Sequence, residues 1–325
     1  MAIVFRRLFN VRQDEYAVFS AFFFFYFLIG IQFSIGLAVS EALFLSEVGP
    51  SFLPYMYIFN AFVIILISMV YTSFTDKFSI PAMFKIVLFF FTGLVLVVRL
   101  GISSDIRAWG MPIAFPFLHT LFVMFTNMIP NNFRAFYGLY LDVLQSKRLV
   151  PIILTGGRYG GIVGGFSIPL LVSLIGNVSN LLYIWIGAIF ASVFLIALIQ
   201  VRLRDHLIES PDTARKRAGS KGTTRHRGGL TLLKTNRYVG AFAIFSFLVI
   251  FLRYFQDYQY SVVFREMFQD RAQLASFLGL FTGIASAIAL LIQTFITPRL
   301  IRRLGMGTAN LLYPLTTLVG LAGMI

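Results

Sequence analysis

Long apolar runs broken by short polar turns dominate the chain. Windows of about 20 residues, enough to cross a bilayer as helix, recur near 15–39, 52–73, 81–100, 112–140, 149–175, 180–203, 238–263, 273–297 and 308–325. The ninth window reaches Ile325 without a polar flank, so eight complete spans and one cut short are expected. The first window is too long for a cleaved leader and has no small-residue cleavage site, so it reads as a membrane span.

One interruption is much longer than the rest. The stretch "RDHLIESPDTARKRAGSKGTTRHRGGLTLLKTNR" is basic and rich in Gly, Ser and Thr. It reads as a solvated cytoplasmic connector, ahead of a lipid-headgroup or regulatory patch. The expected organisation is a six-helix bundle over 1–203, a linker over 204–237 and a partial second bundle over 238–325. Six spans, a long linker and further spans match the two-half layout of major facilitator folds. Such a fold repeats at an offset of about 220 to 226 residues. "YTSFTDKFSIPAMFKIVL" after the second span and "TPRLIRRLGMGTANLLYPL" after the eighth occupy equivalent positions: a cationic turn, a small residue, then a new apolar run. The expected fold class is therefore an all-α integral membrane protein, a major facilitator superfamily-like two-bundle transporter fold truncated after about nine transmembrane helices.

Composition agrees with lipid as the solvent. The 325 residues are 58% hydrophobic and 12% charged, against about 25% charged in a soluble domain. The net charge of +14 does not require nucleic acid, and no nucleic-acid partner is expected. With the N-terminus in the cytoplasm, inside segments carry 19 Lys and Arg against 4 outside, as the positive-inside rule asks. A multi-pass protein of the cell (plasma or inner) membrane is expected, with the lipid bilayer as its standing partner. There is no Cys and only three scattered His, so neither a metal site nor a cofactor is expected. The chain lacks a Ser/His/Asp set and a P-loop lysine, and it is not expected to be an enzyme.

Charges inside the spans carry the chemistry, because each costs about 2.5–3.5 kcal/mol at a helix centre on insertion scales. Arg134, Arg158, Arg253 and Asp257 stand out, with Glu41 and Asp142 nearer span ends. Arg253 and Asp257 are four apart in "FLRYFQDYQY" and share a helix face. That face reads either as a substrate-binding or gating surface, or as a self-satisfied pair. "FTNMIPNNFRAFYGLYLDV" puts Asn127, Asn131, Asn132 and Arg134 around Pro130, which weakens a helix. Such a segment lines a cavity or is buried in protein. His119 reads as a satisfied interior histidine, ahead of a proton relay. The arginines outnumber the intramembrane acids, which favours a small-molecule anion bound through guanidinium forks.

"TGGRYGGIVGG" has six glycines in eleven residues. A phosphate-binding P-loop needs a lysine after its last glycine on a strand-to-helix loop, and this run lies inside a span. Its glycines fall in two rows, 156-160-164 and 157-161-165. They form a small-residue face for close helix packing, with Arg158 at the rim, about 200° from Gly156.

"EALFLSEVGPSFLPYMYIFNAF", "LDVLQSKRLVPIILTGGRYGGIVGG" and "FQDYQYSVVFREMFQDRAQLASFLGLFTG" followed by "TPRLIRRLG" resemble the ATP:ADP antiporter family, the plastid- and parasite-type nucleotide transporters and their bacterial relatives. The resemblance implies twelve spans, with about three beyond residue 325, and nucleotide or phosphate as the anion. The family's "EAKR" corresponds to Gln145-Ser146-Lys147-Arg148. Its "TKD" falls on Val39-Ser40-Glu41, where Ser40 replaces the lysine and Glu41 keeps the acid. A span-four acid falls near Leu139, with Asp142 as a displaced candidate. The span-seven acid is Asp257, and the lysine four residues on is Ser261. The expected function is secondary active transport of an organic anion by alternating access, with ATP/ADP-like exchange the first expectation. The alternative is a non-transporting platform or sensor on the same fold. Arg134, Arg158, Arg253, Asp257 and Glu41 are the expected substrate-binding or gating residues.

Overall fold

The computed structural model describes residues 12–75, 77–104, 107–108, 111–208 and 236–305, with 316 and 320. Most of the linker and of the ninth apolar window lie outside the described residues, as do Arg6 and Arg7. Eight long helices follow in order: α1 Tyr16–Glu47, α2 Leu53–Thr75, α3 Ile80–Ser103, α4 Ala114–Tyr137, α5 Val143–Ile175, α6 Leu181–Arg202, α7 Arg237–Met267 and α8 Arg271–Leu291. α8 continues through a π turn, Ile292–Ile296, and the helical stretch runs on to Gly305. A two-residue hairpin, β1 Arg107–Ala108 with β2 Met111–Pro112, links α3 to α4.

Seven of these helices are long and apolar enough to cross a membrane. The chain is a helical membrane protein. The exception is α4, which is as long as α3 but carries the Asn-Pro-Asn-Asn run. Its asparagines satisfy themselves locally. Asn127, Asn131 and Asn132 each donate to the carbonyl four residues back, at 2.7, 2.9 and 3.0 Å. Asn132 also accepts from Tyr71 of α2 at 2.9 Å. The helix runs through Pro130 unbroken.

Two helix ends differ from expectation. The hydropathy window ends near Val39, yet α1 continues to Glu47, a helix of about 48 Å at 1.5 Å per residue. Glu41 is therefore inside the helix rather than at its end. α5 begins at Val143, six residues before the window, because Asp142 is its N-cap. The Asp142 carboxylate accepts from the Gln145 amide at 2.7 Å, and the Gln145 side chain accepts from the Asp142 amide at 3.1 Å. This reciprocal cap fixes the start of the helix. At the other end Gly176, with φ +73°, closes α5 in the left-handed conformation that glycine tolerates.

The core is built on α1, which packs on α4, α5, α6 and α8. The glycine rows of α5 explain its closest contacts. A Cβ at Gly156 or Gly160 would overlap the Phe23 or Phe27 carbonyl of α1, and one at Gly164 would press on Ile31. Gly161 and Gly165 turn instead to α8, where Gly165 meets Gly279 and Gly283 backbone to backbone. Gly157 leaves its expected row and faces Tyr26 and Gly30 of α1. One helix thus carries two small-residue seams, toward α1 and toward α8. Without a hydrophobic force between helices in lipid, such close approach supplies dispersion contact. Around it, a Phe cluster fills the space between α1, α3 and α4, with Phe22, Phe25, Phe84, Phe133 and Phe136 fully buried. Gln32 joins α1 to α6 through Ala188 and Ser192, at 2.8 and 2.7 Å.

Candidate functional site

α1 is the most buried helix, yet Tyr26, Phe33, Leu37 and Glu41 stay only half-buried. At about 100° per residue they fall within one narrow face. Two groups of charged residues gather along this face. Tyr26 and Glu41 are fifteen residues apart, about 22 Å along the axis.

The first group is basic. Arg134 of α4 and Arg158 of α5 are both exposed and both act electrostatically on the Tyr26 phenol. Tyr26 is held by Phe133 at 4.7 Å between ring centroids and lies against Gly157. Arg158 opens onto a cavity of about 350 Å³ lined by Tyr26, Ile29, Gly30, Phe33, Leu154, Gly157 and Gln293. Gln293 is on the π turn of α8. Pro298 lacks the N–H that would bond the Thr294 carbonyl, and its ring crowds that carbonyl. The ladder widens there, and π turns recur at functional sites.

The second group is acidic. Glu41 of α1 lies 3.3 Å from His119 Nδ1 of α4. Asp257 of α7 accepts from the Tyr57 hydroxyl of α2 at 2.8 Å. Asp257 also feels Glu41, His119 and Arg253 electrostatically. Asp257 therefore takes its hydrogen bond from across the molecule, not from Arg253, its neighbour one helical turn away. Tyr57 packs on Tyr254 of α7, with ring centroids 4.6 Å apart and the rings tilted.

His119 differs from expectation. It is 2% exposed, but it is not hydrogen-bonded like an ordinary interior histidine. Nδ1 faces the Glu41 carboxylate, the ring lies 4.9 Å from Phe44, and neither ring nitrogen has a hydrogen-bond partner among the described residues. Asp142 also departs from its reading as a displaced acid, since its carboxylate is committed to the α5 cap. Ser40 is buried and donates to the Gly36 carbonyl at 2.7 Å, so no cation occupies that point of α1.

The five expected residues thus divide into Arg134 with Arg158, and Glu41 with Asp257 and Arg253. The sequence reading missed Tyr26, Tyr57 and Gln293. Gln293 is a lone amide in an apolar run, which is a usable signal. Tyr26 and Tyr57 sit in aromatic-rich segments where nothing local distinguishes them. Lys85, also unremarked, is near the start of α3 and donates to Gln200 of α6 at 3.1 Å, a structural tie.

Two ties join the C-terminal end of α1 to α7 and α8. Arg265 at the end of α7 donates to the Phe268 and Gln269 carbonyls at 3.2 and 2.7 Å and reaches the Ser46 carbonyl at 3.4 Å. Arg271 at the start of α8 pairs with Glu47. Compared with known proteins, the chain matches no protein-family model, no curated protein and no solved structure.

Proposed function

We propose that this protein is a secondary transporter of major facilitator type. It carries an organic anion, with a nucleotide or phosphate first in line, between two helix bundles by alternating access. The observation that supports this most is Arg158 lining a 350 Å³ cavity at the meeting of α1, α5 and α8, with Arg134 acting on the same Tyr26 phenol. A guanidinium in the middle of a membrane helix, as Arg158 is in α5, is costly unless it serves a pathway or a partner, and its fork suits phosphate oxygens. Tyr26 supplies an aromatic face beside them. The resemblance to the ATP:ADP antiporter family points to the same class of cargo.

With the N-terminus in the cytoplasm, the basic group faces inward and the acidic group outward. The Arg265 and Arg271 ties then close the outer side. The glycine seams of α5 allow helices to shift against one another with little side chain to disengage. Ser40, in place of the family's lysine, favours a second reading, a non-transporting platform or sensor on the same fold. Counterflow of labelled ATP, ADP or phosphate into proteoliposomes separates the two: flux supports transport, and a folded protein without flux supports the platform.

A further inference from the structure

The acidic group holds an arrangement that anion binding does not use. His119 is buried, with Nδ1 facing a carboxylate and neither ring nitrogen hydrogen-bonded among the described residues. The groups around it come from four helices: Glu41 from α1, Tyr57 from α2, His119 itself on α4, and Arg253, Tyr254 and Asp257 from α7. With a neutral imidazole, the cluster counts two carboxylates and, acting on Asp257 at longer range, one guanidinium, which leaves one negative charge in excess. One added proton removes that excess. A net charge at span depth is the costly state, so the protonated cluster is favoured when the site is shut away from water.

We propose that Glu41, His119 and Asp257 form a proton-binding site, and that the proton taken up there travels with the anion. This rests on the transport reading above. The proton comes from water on the side where the space is open and is released to water on the other. No bond of the cargo forms or breaks. Tyr57 keeps one Asp257 oxygen oriented by donating to it, so the proton settles between Glu41, His119 and the remaining Asp257 oxygen. Along α1, Glu41 and Tyr26, the residue on which both arginines act, are about 22 Å apart. The coupling is through charge balance: a neutralised outer cluster leaves fewer negative charges to cross with the anion.

The test uses the full chain in proteoliposomes with labelled ATP. Counterflow is measured at equal pH on both sides, and net uptake under an inward proton gradient with the membrane potential clamped at zero. The gradient is expected to raise net uptake about 10-fold, the ratio set by one proton and one pH unit. His119→Gln should keep counterflow and lose that stimulation. Tyr57→Phe, which removes one oxygen, should keep stimulation but move its pH midpoint, and it covers the case where the buried variant does not fold. Counterflow without stimulation, or stimulation intact in His119→Gln, overturns the proton site and leaves transport standing. Absence of counterflow with ATP, ADP and phosphate overturns transport and coupling together. Independently of flux, the imidazole ¹⁵N signals that His119→Gln deletes should move between about pH 5 and about pH 9. Signals fixed across that range overturn the site.

Discussion

The Tyr57 hydroxyl of α2 donates to the Asp257 carboxylate of α7 across 2.8 Å, joining residues two hundred positions apart on either side of the linker. The bond is partly open to solvent, so its worth falls below the about 1.5–3 kcal/mol of a sheltered charged hydrogen bond. Tyr57→Phe should cost about 1 kcal/mol and lower the thermal midpoint of the purified protein by about 2 °C. A midpoint that stays or rises contradicts the bond.

The α1–α5 seam gives a sharper contrast. A methyl at Gly160 meets the Phe27 carbonyl, which is backbone and cannot swing aside. Gly160→Ala should destabilise by about 1–3 kcal/mol. Gly187 on α6 has nothing within 4 Å of its added Cβ, so Gly187→Ala should be neutral or gain up to about 1 kcal/mol from helix propensity. Thermal unfolding in detergent ranks the two. Equal effects would mean that the seam is not tightly packed.

Asp142 separates a structural role from a binding role. As an N-cap its removal should cost about 1 kcal/mol. Asp142→Asn should retain most of that stability, since asparagine caps as well as aspartate. Anion affinity should be unchanged in both. An affinity loss in Asp142→Asn at full stability would return this residue to the binding site.

Much of the helical framework is legible in hydropathy, because spans in lipid must satisfy their own backbone and bury no charge without cause. Its failures have physical reasons. α1 reads as ending at Val39 because Glu41 looks like a terminal charge, but the acid is inside the helix facing His119 of α4. α5 reads as starting late because its capped first turn is polar. The glycine rows announce close packing, but which row meets α1 and which meets α8 depends on contacts distant in sequence. The charged residues were visible one by one. Their division into a basic and an acidic group was not, since Arg134 and Arg158 meet at Tyr26 from different helices. His119 looked self-sufficient because its partner is 78 residues away.

The two arginines should not be equivalent to lysines. Arg158 lines the cavity directly, and Arg158→Ala should weaken anion affinity by about 30-fold or more, matching about 2 kcal/mol or more for truncating a charged contact. Arg158→Lys keeps the charge without the fork, so it should recover only part of that affinity. Full recovery by lysine would show that Arg158 acts as a charge alone.

Labelled ATP counterflow into proteoliposomes, measured for the unaltered chain beside Arg158→Ala of equal folded yield, decides whether the Arg158 cavity carries an anion across the membrane. Saturable uptake whose apparent affinity the substitution weakens by about 30-fold or more is the expected result. No uptake of ATP, ADP or phosphate by the folded, unaltered protein, or uptake indifferent to Arg158→Ala, would contradict it.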